Sequence, residues 1–437
     1  MLQQGMVRAR PVAGRSQARA GVAPLDPLLA KQIFEPLPVP LGTPPYHFDL
    51  ETVLPGITAE AATLGKLVLH CVGDTGGVKS PQFQENVAAA MKNDLALPDA
   101  TRPRFFYHLG DVVYFNGQIP DYYDQFYEPY DHYAPPILAI PGNHDGDPIN
   151  ARQVSLDGWV RYFMQATPGV QPESKDAPRV TLSLPNVYFT LNAPFVTIVG
   201  MYTNVPEGGS VDSVQQQWLT NELATAPMDK ALIVALHHPI YSFDAYHSGS
   251  AAMADVVEKA INDSRRVPNM VLSAHVHDYQ RIEKQVVPGT AAAADAASAA
   301  VGEPEQKKHK KHKGGGGDAP VPTPTPAPVP TPSPTPVPAP VAGAAGKTPF
   351  LVAGNGGYYN LHKLSSAVGT TDPATGATML YGQDSHWGYM TLTVDAETIS
   401  GVTTTVPNAG ETTTPAVDSF SYPTAAVVLP EGAMVTL

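Results

Sequence analysis

The chain has 437 residues, 43% of them hydrophobic, enough for a substantial core in one large domain or two to three average ones. A formal net charge of −13 argues against a nucleic-acid-binding protein, whose affinity rests on Lys and Arg neutralising phosphates, but leaves room for a small phosphorylated substrate beside bound cations. The single cysteine, Cys71, excludes an intramolecular disulfide, and no apolar stretch is long enough to span a membrane.

Residues 1–56 are rich in Pro and small residues and read as an N-terminal arm that lies on the domain or stays partly disordered. The stretch Met1 to Ala23 carries several Arg but no apolar core of signal-peptide length, so the chain reads as cytoplasmic. From Lys66, short apolar runs alternate with amphipathic ones. Strands are expected at 66–72, 104–109, 137–140, 187–191, 195–201, 231–236 and 270–274. Helices are expected at Pro81 to Leu97, Ser213 to Ala226 and Gly249 to Ser264. The alternation indicates an α/β architecture. Cys71, inside Leu67–Val72, reads as a small buried core residue. Ser213 reads as a helix N-cap, with Val214, Trp218 and Leu219 on one face.

Region 287–346 differs from the rest. An Ala-rich run (Ala291 to Ala300) is followed by Lys307-Lys308-His309-Lys310-Lys311-His312-Lys313, four glycines, and a segment from Pro320 to Pro340 in which every second residue is proline. Such a proline repeat favours extended polyproline II and would reach roughly 65 Å at ~3.1 Å per residue. The region is expected to be a disordered insertion in a surface loop, since loop closure costs little even for long loops. It also offers a surface for partner binding. The strand-like runs Pro349–Ala353 and Trp387–Val394 follow, too short a remainder for an independent core. This sets a catalytic domain at 57–402, interrupted by 287–346, with a C-terminal strand and tail at 403–437.

Five apolar runs end in metal-ligand side chains: Gly73-Asp74-Thr75-Gly76, Gly110-Asp111-Val112-Val113-Tyr114, Gly142-Asn143-His144-Asp145, Leu236-His237 and Ala274-His275-Val276-His277. In open α/β sheets, ligands bind beyond the carboxyl ends of the strands, so five such ends converge on one place. Carboxylate, phenol, amide and imidazole together suit Fe, Zn or Mn. A carboxylate shared by two cations sets up two-metal chemistry on a phosphate ester. His275 and His277 alternate as on one face of a strand. Each motif alone is weak; five in order are not.

The order Gly-Asp, Gly-Asp, Gly-Asn-His-Asp, His, His-x-His resembles the calcineurin-like metallophosphoesterase superfamily. Gly73-Asp74-Thr75-Gly76 lacks the His that usually lies two places after the Asp, and Tyr114 stands three places after Asp111. Both features resemble purple acid phosphatases, and Phe115-Asn116-Gly117, Gln125-Phe126-Tyr127-Glu128 and His238-Pro239-Ile240-Tyr241-Ser242 are most similar to the small tartrate-resistant type. The resemblance implies a four-layer α/β/β/α sandwich of two mixed β-sheets flanked by helices. It implies Fe(III) on Asp74, Tyr114 and His277, and Fe(II), Zn or Mn on Asn143, His237 and His275, with Asp111 bridging. His144, joined by His247, would lie beside the substrate phosphate. The implied reaction is phosphate monoester hydrolysis, a metal-bound hydroxide attacking phosphorus in line. The alternatives are a phosphodiesterase acting on nucleotide or lipid head-group esters, and a non-catalytic binding protein on the same scaffold. Ala274 stands where the family usually has Gly, which requires a negative φ there or modest strain.

Bland readings apply to the neighbours. His238, His70 and His108 read as structural or as supports for ligands. Asp145 either orients His144 or caps the following turn. Tyr122, Tyr123, Tyr127, Tyr130 and Tyr133 read as loop packing. Asn355 and the glycines after it either approach the site or turn the chain.

Overall fold

A computed structural model describes residues 35–287, 341–343, 346–408, 410–411 and 417–437. The chain partitions into two units, Met1–Pro288 with Pro338–Leu437, and Gly289–Val337. The second unit, the first 34 residues, and with them the expected insertion's Ala, Lys/His and Pro tracts, lie outside the described residues.

Before the insertion the strands are β1 (His47–Asp49), β2 (Lys66–Val72), β3 (Phe105–His108), β4 (Ile137–Ala139), β5 (Phe189–Ala193), β6 (Val196–Gly200), β7 (Ala231–Ala235), β8 (Arg266–Val267), β9 (Met270–Ser273) and β10 (Tyr279–Gln285). Inside its expected C-terminal end lies β11 (Val341–Ala342), and after it come β12 (Lys347–Ala353), β13 (Thr378–Gln383), β14 (Gly388–Asp395), β15 (Thr398–Thr405), β16 (Ser419–Pro423) and β17 (Val427–Val428). β11 pairs with β16, although 287–346 was expected to be disordered. The helices are α1 (Ile57–Leu64), α2 (Gln82–Asp94), α3 (Asn143–Gly146), α4 (Asp157–Phe163), α5 (Ser213–Thr225) and α6 (Ala251–Ser264).

Two large mixed sheets form, flanked by helices. One runs β1-β5-β6-β7-β9-β12-β10-β13 and the other β11-β16-β15-β14-β2-β3-β4. The stretch after the insertion completes both: β12 lies parallel to β9, and β14 pairs antiparallel with β2. One hydrophobic cluster draws on both sheets, including Leu69, Phe105 and Leu392 from one and Ile198, Ile233 and Leu351 from the other. Parallel strands covered on both faces read as continuous apolar runs, and β7 (Ala-Leu-Ile-Val-Ala) is buried throughout. In α6 the buried residues Met253, Ala254, Val257, Ala260 and Ile261 follow helical spacing, and Ser250 Oγ caps the helix by accepting the Met253 N–H at 3.1 Å. Each buried Val, Ile or Met of this kind contributes roughly 1.5–3 kcal/mol.

The expectation for α5 needs correction. Its N-cap is Asp212, whose Oδ1 accepts the Gln215 N–H at 2.7 Å, so Ser213 is already inside the helix. Trp218 and Leu219 are buried, but Val214 is 64% exposed. Ser, Asp and Asn are equally good caps, so adjacent Asp212 and Ser213 could not be ranked by residue type. Cys71 lies buried in β2, and burial pushes its thiol pKa far up, which makes it inert. The arm's described part lies on the domain: β1 runs parallel to β5. Among the described residues no helix is long and apolar enough to cross a membrane.

The topology positions the site. β2, β3 and β4 are parallel neighbours in one sheet. β7, β9 and β12 are parallel neighbours in the other. The chemistry-bearing loops leave the carboxyl ends of these six strands.

Candidate metal centre

The strands end abruptly. Asp74 and Asp111 both sit at φ 55° and His275 at φ 67°, left-handed conformations that cost about 1–3 kcal/mol each unless the surroundings enforce them. The surroundings do. The Asp74 N–H donates to Gly110 O at 3.0 Å, the Tyr358 N–H donates to Asp74 O at 2.9 Å, and the His275 N–H donates to Asp74 Oδ2 at 2.7 Å. His275 and His277 therefore lie in a bent loop after β9, not on an alternating strand as expected. Likewise His237 and His238 follow the end of β7. Ala274 has no left-handed backbone, and its Cβ faces Gly73, where a second Cβ would come within 2.5 Å of it.

All nine residues singled out from the sequence meet here. In one group Tyr114 OH donates to Asp74 Oδ1 at 2.8 Å and lies 3.3 Å from His277 Nε2, which is 3.6 Å from Asp74 Oδ1. In the other, Asn143 Oδ1 lies 3.1 Å from His237 Nε2 and 3.0 Å from His275 Nδ1. Asp111 adjoins this second group, its Oδ2 3.3 Å from His237 Nε2. The His144 N–H donates to Asp111 Oδ1 at 2.9 Å, and the His144 ring packs 4.6 Å from that of Tyr114. The His247 ring lies 4.9 Å from that of His275.

Each of these histidines is anchored through its other nitrogen. His237 Nδ1 donates to Leu109 O at 2.8 Å and His277 Nδ1 to Asn360 O at 3.1 Å, while His275 Nε2 is 3.2 Å from Glu207 Oε1. In the neutral ring the inward nitrogen then carries a lone pair aimed at other acceptors. Asp111 Oδ2 is buried and accepts no hydrogen bond. Lone pairs facing one another in a buried place require a cation or a proton between them.

The ionisation pattern agrees. Burial pushes the Asp74 carboxyl well up, with Asp111 adding to the effect. Burial acts the same way on Asp111, but His237, His144 and His275 override it and hold that carboxyl well below its usual range. Burial opposes charge on His237, yet Asp111 raises its pKa to about 9. Burial lowers His275 to about 4 and holds His277 well below the usual imidazole range. The Tyr114 phenol is pushed far up by burial, then by Asp111 and Asp74. Without a cation, protons on Asp74, Tyr114 and His237 balance the site. The donor set therefore fits hard or borderline cations, and the ligand atoms of Asp111, His237 and His275 lie within 4.8 Å of one another.

The supports divide as follows. Asp145 does neither of the things expected of it: its carboxylate accepts the N–H groups of Val112, Val113 and Gly142 at 2.8–3.2 Å and so clips two ligand loops together. Burial, then Asp111, raise its pKa to about 7. His108 Nε2 meets Thr75 Oγ1 at 2.8 Å, His238 Nδ1 meets Thr203 Oγ1 at 2.7 Å, and His70 stands between Tyr133 and Asp94. Tyr122, Tyr127, Tyr130 and Tyr133 are buried packing. Asn355, its Nδ2 donating to His386 O at 3.2 Å, and the glycine after it do approach the site, for the Gly356 N–H donates to Gly73 O at 3.2 Å.

Three neighbours have no sequence signal. Glu207 Oε1 lies 3.0 Å from His247 Nδ1 as well as 3.2 Å from His275 Nε2. The His362 ring stacks 4.5 Å from His277 and 5.1 Å from His247, with Asp244 Oδ2 3.3 Å from its Nδ1. Pro206-Glu207-Gly208-Gly209 reads only as a turn, and His362 lies far from any motif.

Residues 67–279 match the family model of calcineurin-like phosphoesterases. The chain therefore carries a calcineurin-like phosphoesterase domain. No curated protein matches it in sequence. Among solved structures, the purple acid phosphatase PPD1 of yellow lupin (Lupinus luteus) is similar at TM-score 0.50 and 15% identity, over 82% of this chain and 54% of the lupin chain. This chain thus spans about half of the lupin enzyme, and the likeness bears on fold alone. GAP50 of the Plasmodium inner membrane complex (TM-score 0.47, 12% identity, 81% of this chain and 89% of that one) and PhoD (0.44, 12%, 85% and 73%) are also similar.

Proposed function

We propose that this chain is a metallophosphoesterase that hydrolyses phosphate monoesters at a dinuclear centre. The observation that carries the reading is Asp111, a buried carboxylate whose Oδ2 accepts no hydrogen bond and faces His237 Nε2 at 3.3 Å, beside two converging sets of donors. Two cations held by Asp74, Tyr114, His277 and by Asn143, His237, His275, with Asp111 shared, would bind phosphoryl oxygens and make a water nucleophilic at neutral pH. Tyr114 in place of a histidine favours iron as one of them.

The chain's own groups supply the rest. His144 is half-buried, and its Nδ1 donates to Phe115 O at 2.8 Å. That fixes the ring and leaves Nε2 as the atom that holds a proton for the leaving oxygen or hydrogen-bonds the phosphoryl group. His247, steadied through Nδ1 by Glu207, has its ring 4.9 Å from that of His275 and would share this role through Nε2. The buried floor of Asp74, Asp111 and Tyr114 excludes water and strengthens these interactions.

The test is turnover of p-nitrophenyl phosphate against bis-p-nitrophenyl phosphate by protein of known metal content, with its visible spectrum. Monoester preference, two metals per chain and a visible iron–phenolate band are expected. Diester preference would move the reading to a phosphodiesterase. No turnover with both metals loaded would leave a binding scaffold.

A further inference from the structure

Beside Tyr114 the surface opens into a groove of about 500 Å³, lined by Lys79, Phe115, Asn116, Gln118, Asp121 and Asp124. Its walls carry opposite charges. Lys79 stands on the loop after β2 at φ 63°, a left-handed conformation unusual for lysine. Its Nζ donates to Tyr359 OH at 2.9 Å, lies 4.3 Å from that ring's centre and 5.7 Å from that of Phe115. Phe115 in turn packs on Tyr114 at 6.0 Å and His144 at 6.1 Å. The cation is therefore one ring removed from the catalytic centre.

Asp121 and Asp124 stand on the helical turns after β3. Asp121 is half-buried, and burial, then Asp124, raise its pKa. Among the described residues no carboxylate pairs with Lys79 and no cationic side chain pairs with Asp121 or Asp124. Among the described residues both signs of charge are thus left without an oppositely charged partner in one groove that Phe115 also lines.

We propose that this groove holds the leaving group of the phosphate ester, and that the leaving group is amphoteric: a carboxylate or similar anion toward Lys79 and Tyr359, an ammonium toward Asp121 and Asp124, and an apolar or aromatic body against Phe115. The proposal rests on the phosphoester reading. A polyanionic leaving group such as an oligophosphate would face two carboxylates for one lysine. A cationic one would leave Lys79 unmatched next to the centre, and a neutral one would match neither.

The test uses the metal-loaded full chain and four aryl esters: phenyl phosphate, phosphotyramine, the deaminated analogue of phosphotyrosine, and O-phospho-L-tyrosine. Within each protein, kcat/KM is referred to that for phenyl phosphate. In the wild type each charge should raise the ratio about two- to fivefold, the range for partly exposed ion pairs, and phosphotyrosine should lead. Lys79→Met should remove the carboxylate's share only, and Lys79→Glu should shift preference to phosphotyramine. Asp121→Asn with Asp124→Asn should remove the ammonium's share only. Added salt should shrink all ratios.

Wild-type ratios near one, or ratios unmoved by these variants, would overturn the assignment while phenyl phosphate turnover left the phosphatase reading standing. If phenyl phosphate is not hydrolysed, the phosphatase reading falls, and calorimetry with benzylphosphonate and phosphonomethyl-phenylalanine decides the groove. Tighter binding of the amphoteric phosphonate, lost in Lys79→Met, supports it, and equal binding overturns it.

Discussion

Replacing Gly142 with Ala should disable the centre without unfolding the domain. Gly142 has φ −95° and ψ −173°, a backbone that alanine adopts freely, so only sterics oppose the change. An added Cβ would lie 2.1 Å from Asp111 Oδ1 and 2.4 Å from Asp111 N, where ordinary contact begins near 3.4 Å. One of these atoms is backbone, and Asp111 is 1% exposed, so the neighbours must yield by more than about an ångström. Overpacking of this kind costs about 1–3 kcal/mol, offset by about 0.4–1 kcal/mol of chain entropy that alanine removes from the unfolded state. The net expectation is a loss of about 1–2 kcal/mol in urea denaturation of the metal-free protein. The functional loss should be larger. The shift moves Asp111, Asn143 and the His144 N–H that donates to Asp111 Oδ1, and a displacement of about 1 Å costs on the order of a hundredfold in rate. Metal content by mass spectrometry and kcat on p-nitrophenyl phosphate read the effect. Gly169→Ala is the control: it meets nothing within 4 Å. Full metal loading, unchanged kcat and stability within about 0.5 kcal/mol of wild type in Gly142→Ala would refute the placement of Asp111 against this loop.

Asp111→Ala should lose both metals and activity together, and retention of one metal with turnover would show that the carboxylate is not shared. Tyr114→Phe should abolish any visible band of the iron-loaded protein. It also removes the donor to buried Asp74 Oδ1, which should cost the metal-free protein about 1–3 kcal/mol; a colour that persists would assign the band elsewhere. Burial, then His237, push His108 down to about 3, so the fold keeps it neutral while the unfolded chain takes up a proton below about 6.5. Its contribution is complete above that pH and is lost as pH falls toward 3. Between pH 6.5 and 4.5 His108→Gln should flatten the stability curve of the metal-free protein by about 1.4 kcal/mol per pH unit, and parallel curves would contradict it.

The strands were legible where burial on both faces leaves an unbroken apolar run, as in β2 and β7, and each motif could be placed because it interrupts such a run. Legibility failed where local chemistry is degenerate. β10, with Gln280, Arg281, Glu283 and Lys284 in its interior, does not look like a strand. Its buried Arg281 is satisfied by paired bonds to Asp418 at 2.8 and 2.9 Å, a partner supplied from far along the chain. α1 and α4 are short, and α4 begins after Leu156 at φ 65° without a side-chain cap. Within the site, the motif residues announced themselves, but Glu207, Asp244 and His362 arrive on loops whose sequences say only that the chain turns there. They are brought in by topology: β12, which leads to His362, is threaded parallel to β9, which leads to His277.

That topology also decides how the centre behaves when empty. Each donor set draws on both sheets: Asp74 and Tyr114 from the ends of β2 and β3 with His277 from β9, and Asn143 from β4 with His237 and His275 from β7 and β9. The same loops are already tied without a cation, through His275 N–H to Asp74 Oδ2, Gly73 N–H to Ala353 O at 2.8 Å and His237 Nδ1 to Leu109 O. A cation therefore pays little ordering cost on binding, and its competitor is the proton. In the metal-free site Asp74 and Tyr114 hold protons because burial raises both, and His237, at about 9, is charged at neutral pH. Metal binding must displace these protons, so affinity should fall as pH falls, about tenfold per unit for each proton released near the working pH. Calorimetric titration of the metal-free protein at pH 7, in buffers of different ionisation enthalpy, should report more than one proton released per chain on full loading. His237→Gln should release fewer, and a wild-type release of zero would mean that the buried carboxylates and histidines are balanced by something other than protons.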